Sequence, residues 1–316
     1  MGTPPDAERA ARPATRPPLR GPLGGLPFTG YGFQGTHVAC PVCGEDQPRV
    51  VATVDRYLKR LRTVMCGHCG LLYCDPMPSE ADLARYYAHD YRAQYQFARS
   101  GPRERHRRKR RDEARERASF WPDIVTPGKR ALDFGCGSGE MVEVLTDLGL
   151  DAHGFDPGEA YARDGETRLG ARIKIARWQD VTYDRPFDLI TCFHVLEHLR
   201  DPLGALVRMR SLVADDGHVM LEVPDSETDA RKGIASFHLA HTVGFNGANL
   251  TLAAALAGFR VVASHWSTSI LLTPGTVADL DALAEDGRHL TRAGYVDQSP
   301  FRRYLSYRTQ RLFGGR

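Results

Sequence analysis

The larger part of this chain is predicted to be an α/β fold with a mostly parallel sheet, preceded by a small metal-binding ribbon. Three observations predict it. From Lys129 onward, short apolar runs alternate with segments of helical period. One of those runs, Ala131–Phe134, passes directly into a glycine-rich turn that opens a helix. Upstream, two Cys-x-x-Cys pairs stand 22 residues apart.

The composition bounds the answer. With 316 residues, 42% hydrophobic and 26% charged, the chain has the make-up of about two globular domains. No run of about 18 apolar residues occurs, which excludes a helical membrane span, and no membrane partner is expected. The net charge of +3 is uneven: residues 1–130 sum to +9 and residues 131–316 to −6. Any attraction to polyanions therefore belongs to the front of the chain.

Residues 1–36 are rich in Pro, Gly and Arg and are expected to be a disordered tail. Their start lacks an apolar h-region, and its prolines and acids argue against a transit peptide. A cytoplasmic location with reduced thiols is expected, so cysteine pairs read as metal ligands before disulfides.

Residues 37–75 hold five of the seven cysteines. Cys40-Pro-Val-Cys43-Gly and Cys66-Gly-His-Cys69-Gly form two knuckles, each aiming two thiolates at one point, with Gly44 and Gly70 permitting the tight turns. Four thiolates fill a tetrahedral Zn2+, so the ion expected here is structural. The stretches Arg49–Val54 and Leu61–Met65 would form the ribbon between the knuckles. Cys74 and His68 are read as bystanders. A ribbon of about 40 residues has too little core to fold alone, and the metal supplies what is missing.

Residues 76–128 are polar, aromatic and basic, expected as a helical linker or lid. Tyr86, Tyr87 and Tyr91 have helical spacing and read first as packing residues. Arg99–Arg117 contains ten Arg and Lys against four acids, five of the bases consecutive. The plain reading is a solvated helix with i,i+4 pairs such as Glu104–Arg108 and Glu113–Arg117. The sharper one is a phosphate-binding face for a nucleotide-sugar or RNA. No aromatics are interleaved, which weakens a single-strand stacking role.

Residues 129–316 form the α/β domain. Strands are expected at about 130–134, 152–156, 171–175, 187–193, 217–223, 259–265 and 268–273, with helices at 139–148, 202–213 and 248–257. In Asp133-Phe134-Gly135-Cys136-Gly137-Ser138-Gly139-Glu140, the glycines admit a ligand to the backbone, and the helix start presents free N–H groups. A nicotinamide dinucleotide loop is the obvious rival, but it would need glycine where Glu140 stands. Asp133 places negative charge beside the turn, which suits a cationic ligand and repels phosphate. Asp156 ends the next strand and can accept two ribose hydroxyls. Its plain alternative is a cap for the segment starting at Pro157.

Leu132–Gly139, Gly154-Phe155-Asp156, Phe187-Asp188-Leu189-Ile190 and Phe193–Pro202, in that order, resemble the S-adenosylmethionine-dependent methyltransferases of the seven-stranded Rossmann-like class. The resemblance covers roughly residues 129–275. It implies that Gly135, Gly137 and Gly139 pass the methionine half of the cofactor, that Asp156 takes the ribose, that Gln179 or Asp180 lies by the adenine, and that Phe193 and His194 lie beneath the methionine portion. With the knuckles, Asp75-Pro76-Met77-Pro78 and the linker tyrosines, the chain is similar to bacterial methyltransferases that bear an N-terminal zinc ribbon, whose relatives act on nucleotide-bound sugars, glycans and secondary metabolites.

Methyl transfer needs a positioned nucleophile and a group to take its proton. The resemblance points to His241 first and His198 second. In the sugar C-methyltransferases the stretch after the fifth strand reads Tyr-x-Glu-His; the matching positions here are His238, Ala240 and His241. Each histidine has the plain alternative of a hydrogen-bonded structural residue. The leading expectation is methyl transfer to a small-molecule or sugar-linked acceptor. The rivals are an RNA methyltransferase and a non-catalytic cofactor-binding partner of another enzyme.

Overall fold

The structure is a computed structural model, and it describes residues 28–33, 35–86 and 104–313. Tyr87, Tyr91 and Arg99 lie outside the described residues, as does the expected tail up to residue 27. The packed chain begins before the expected boundary at 36. Tyr31 is buried, its hydroxyl donates to Asp55, and Thr36 bridges to Met77.

The ribbon is built from β1 (Pro48–Val54), β2 (Arg60–Cys66) and β3 (Leu72–Cys74), all antiparallel. Two helices follow, α1 (Glu80–Tyr86) and α2 (Glu104–Ala118). Tyr86 is buried edge-on against Tyr31, which is the packing role read from its spacing.

The larger sheet starts with β4 (Arg130–Phe134), α3 (Glu140–Asp147), β5 (Asp151–Asp156), α4 (Glu159–Leu169) and β6 (Ile173–Ile175). It continues with β7 (Phe187–Phe193), α5 (Pro202–Leu212) and β8 (Val213–Glu222). After β8 an insert holds the short α6 (Ser226–Asp229), a 3-10 segment (Ala230–Ser236) and β9 (Val243–Gly244). The chain then forms α7 (Gly247–Leu256), β10 (Phe259–Trp266), β11 (Ser269–Pro274), α8 (Leu280–Tyr295) and α9 (Pro300–Phe313).

The seven strands run β6-β5-β4-β7-β8-β11-β10, and only β11 is antiparallel to its neighbours. Counted along the chain, the order is 3-2-1-4-5-7-6. The order reverses between β4 and β7, where open α/β sheets place their ligands. All five residues of β4 are buried, as a central parallel strand covered on both faces requires.

The ribbon is not a separate body. β9, from the insert after β8, pairs antiparallel with β3 and becomes the fourth strand of the ribbon sheet. The division at residue 75 is therefore crossed by a shared sheet, and Leu71, Tyr73 and Cys74 belong to the same apolar core as Leu132, Ile190 and Phe245. Among the described residues, no helix is long and apolar enough to cross a membrane.

Candidate functional site

The turn between β4 and α3 holds Gly135, Gly137 and Gly139 at φ of 81°, 54° and 84°, a region that side chains with a Cβ rarely occupy. Two of these glycines differ in what surrounds them. A Cβ at Gly135 would lie 2.6 Å from a methyl of Val195, so the turn rests directly on the loop after β7. A Cβ at Gly137 would meet nothing within 4 Å. That open space beside bare backbone is room for a ligand.

Asp156, at the end of β5, faces this turn. One carboxylate oxygen accepts from the Gly137 N–H at 3.1 Å and the other from the Gly158 N–H at 2.7 Å. It therefore tethers the glycine turn and the backbone that leads into α4. Burial raises its carboxyl above the usual range. Asp133 is buried at the end of β4, where it accepts from the Thr191 hydroxyl of β7 at 2.7 Å. Burial, with the Asp156 and Glu140 charges adding to it, pushes Asp133 up to about 7. Two buried acids that resist ionisation beside an open glycine floor form a site that gains from a cationic ligand. Glu140, the residue that argues against a dinucleotide loop, is buried and accepts from the Ser138 hydroxyl at 2.7 Å.

Phe193 and His194 end β7 as expected. His194 has φ of 57°, and its ring nitrogens lie 3.4 Å from Glu197 and 3.1 Å from Glu222. Burial acts to lower its pKa, but the two carboxylates outweigh it and hold it up to about 9. Against the burial that would raise it, Glu222 is held down to about 2 by His194 and Arg117. Arg117 comes from α2. It binds Glu222 at 2.6 Å and lies 5.1 Å over the Phe193 ring. Gln179 and Asp180 are exposed, Gln179 donating to Glu80 of α1 at 3.3 Å and Asp180 paired with Arg177.

The two histidines, 43 positions apart, come together with ring centroids 4.9 Å apart. His198 lies in a 3-10 turn, Leu196–His198, and its Nδ1 bonds the Ala240 carbonyl at 2.7 Å. The His241 ring lies 3.9 Å from that of His238, tilted by 47°, and burial and the neighbouring histidines push it well below the ordinary histidine value, so it is neutral near pH 7. They adjoin a small pocket of about 40 Å3, open to solvent, that Tyr73, Glu197, Ser226, His238, His241 and Tyr295 help to line. Tyr73 comes from the ribbon and Tyr295 from α8, so neither was legible as a site residue. Arg117 was hidden in a charge run.

In the ribbon the four sulfurs of Cys40, Cys43, Cys66 and Cys69 lie within 4.8 Å of one another, with 3.6 Å between Cys40 and Cys69 and 3.5 Å between Cys43 and Cys66. Four thiolates about 2.3 Å from a tetrahedral Zn2+ would stand about 3.8 Å apart, so the donor set fits that ion. Gly44 and Gly70 have φ of 75° and 72°, as the knuckles require. Neither His68 nor Cys74 joins the cluster.

The basic run is largely paired. Arg107 reaches Asp164, Arg111 reaches Glu143, and Arg117 reaches Glu222, three carboxylates of the α/β domain. The i,i+4 pair Glu113–Arg117 is present at 4.0 Å, whereas Glu104 takes Arg107 in place of Arg108.

The methyltransferase-domain family matches residues 103–264, just over half of the chain. A ubiquinone biosynthesis O-methyltransferase of Photobacterium profundum is 29% identical over 99 residues, covering 29% of this chain and 42% of that protein. The protein of the same description from Pseudomonas aeruginosa is 33% identical over 101 residues, covering 30% and 44%. The chain thus spans less than half the length of these relatives. Among solved structures, the 1,6-didemethyltoxoflavin-N1-methyltransferase of Burkholderia thailandensis is 15% identical, covering 73% of this chain and all of that one at a TM-score of 0.46. With a family match across its glycine turn, both histidine-bearing loops and six of the seven strands, the chain belongs to the methyltransferase-domain family, in its class I, Rossmann-like form.

Proposed function

We propose that this protein transfers a methyl group from S-adenosylmethionine to a small-molecule or sugar-linked acceptor. The observation that carries the reading is the open, positive-φ backbone at Gly137, tethered to Asp156 and backed by the buried Asp133. Gly135, Gly137 and Gly139 would hold the methionine half, Asp156 the ribose, and Phe193 and His194 the floor beneath. When bound, the cofactor supplies a methyl group already activated by its sulfonium.

The acceptor's reacting group would meet His241 at the mouth of the small pocket between ribbon, insert and α8. His241 is neutral and partly open to that pocket, so it can take the acceptor's proton, with His198 beside it as the second choice. The ubiquinone biosynthesis relatives are named for a small-molecule pathway, in line with this reading. RNA has less support, because Arg107, Arg111 and Arg117 of α2 are engaged by carboxylates of the domain itself. The four-cysteine cluster would hold a structural Zn2+ with no position left for water. Gln179 and Asp180 remain proposed adenine neighbours.

Calorimetry with S-adenosylhomocysteine and with NAD+ tests the reading. Uptake of the sulfur nucleoside alone is the expected result, followed by methyl transfer to hydroxylated acceptors that falls in His241→Asn. Binding of NAD+ without the nucleoside overturns it.

A further inference from the structure

Two helices of this chain are strongly basic, and their arginines are treated differently. In α2, Arg107, Arg111 and Arg117 are held by Asp164, Glu143 and Glu222 of the domain. Helix α9 carries Arg302, Arg303, Arg308 and Arg311, and no acid stands among its residues. Among the described residues, no carboxylate pairs with any of these four. Arg303 donates to Gln298 and Arg311 to the Tyr307 hydroxyl, both neutral, while Arg308 lies 6.0 Å over the Tyr304 ring. Asp297, just before the helix, pairs with Arg292, and Asp229, beside the segment that α9 packs on, pairs with Lys232. Residues 131–300 sum to −11, so α9 is a basic element on an acidic domain.

The outward side of α9 is apolar as well as basic. Phe301 and Leu305, one turn apart, are 49% and 51% exposed. Arg308 follows on the same stripe of the helix, and Arg302 flanks it. The other side anchors the helix to the insert after β8. Pro300 is buried, Tyr304 packs against the cluster that holds Ile234 and Phe237, and a Cβ at Gly233 would collide with the Pro300 carbonyl oxygen. The helix is thus fixed in place with its arginines and two large apolar side chains facing solvent.

We infer that α9 docks this protein on the surface of an anionic lipid bilayer. Phe301 and Leu305 enter the headgroup layer, and Arg302 and Arg308 meet lipid phosphates, their long stems letting the guanidinium groups reach up from beside the apolar pair. Such a contact is peripheral and needs no spanning helix. Charge chooses an anionic surface, since four cations without carboxylate partners gain nothing from a neutral one. The apolar pair chooses a bilayer over a nucleic acid. Tyr304 and Tyr307 are half-buried and faced by Arg308 and Arg311, so neither offers a free ring for bases to stack on. The polyanion-facing surface expected at the front of the chain is therefore placed on α9, because the α2 arginines are already engaged. The inference concerns binding and stands whether or not the methyl-transfer reading holds.

Co-sedimentation of the full chain with lipid vesicles is the test. Vesicles of equal parts phosphatidylcholine and phosphatidylglycerol are expected to carry the protein down, pure phosphatidylcholine far less, and added salt should weaken the binding. Arg302→Gln combined with Arg308→Gln should weaken it about 30-fold. Phe301→Ala combined with Leu305→Ala should weaken it by at least about tenfold. All four side chains are exposed, so melting temperatures should stay at the wild-type value. In Phe301→Trp, the added indole emission should move to the blue on the anionic vesicles, beyond any change in the wild type. Equal binding to both vesicles, binding to neither, variants that bind as the wild type does, or no added emission shift would each overturn the inference. So would preferential capture of poly(U) RNA, or a dimer of this chain that the Phe301 and Leu305 substitutions dissociate.

Discussion

Gly137 and Gly135 are both at positive φ, yet substitutions there should fail for different reasons. At Gly137 an alanine meets no protein atom, so its cost is the left-handed backbone, about 1 kcal/mol. Gly137→Ala is therefore expected to lower the melting temperature by only a few degrees while losing most affinity for S-adenosylhomocysteine, as calorimetry beside a thermal melt would show. Asp133 makes a pH prediction. Its folded value of about 7 lies above an unfolded value of about 3.9. The stability it contributes is full below about pH 4 and is lost as pH rises to about 7. Asp133→Asn should flatten the stability profile across that window. The charged carboxylate also prefers the sulfonium, so the affinity of S-adenosylmethionine relative to S-adenosylhomocysteine should rise between about pH 6 and pH 8. Equal ratios at both ends would refute that electrostatic account.

At the scale of elements, the ribbon and the domain meet where backbone touches backbone. A Cβ at Gly70 would lie 2.4 Å from the Gly287 carbonyl oxygen, and one at Gly287 would lie 2.6 Å from the Cys69 oxygen. Both close contacts are to backbone atoms, with no flexible side chain to give way, and α8 packs along α7. Gly287→Ala should destabilise the protein by on the order of 2 kcal/mol, read by denaturant unfolding. A change within error would mean that ribbon and helix can part slightly at no cost. The strands from 130 to 274 were legible from alternation and turn signals, to within a few residues. Helix α2 was legible as a helix, but which of its arginines face the domain depends on where Asp164, Glu143 and Glu222 stand.

At the scale of the whole molecule, the shared sheet makes the ribbon a wall of the pocket beside His241. β9 joins β3, and Tyr73 and Cys74 line the pocket with Ser226, His238 and His241. Removing the ribbon metal should therefore reach the pocket. With a chelator, hydrogen exchange is expected to open β1 to β3 and β9 together, while β4 and β7 in the larger sheet stay protected. Melting and exchange indifferent to chelation would mean that the four thiols hold no ion of consequence.

Local chemistry determined the α/β class, the glycine turn with Asp133 and Asp156, and the two cysteine knuckles. Each rests on residues close in sequence, where spacing and backbone geometry leave few choices. Only the tertiary structure decided that β9 completes the ribbon sheet, that His198 and His241 meet 4.9 Å apart, and that Arg117 closes on Glu222. Those pairings span 43 to 172 positions along the chain. They are selected by the burial of one common core, a property of the folded whole that no short stretch of residues encodes.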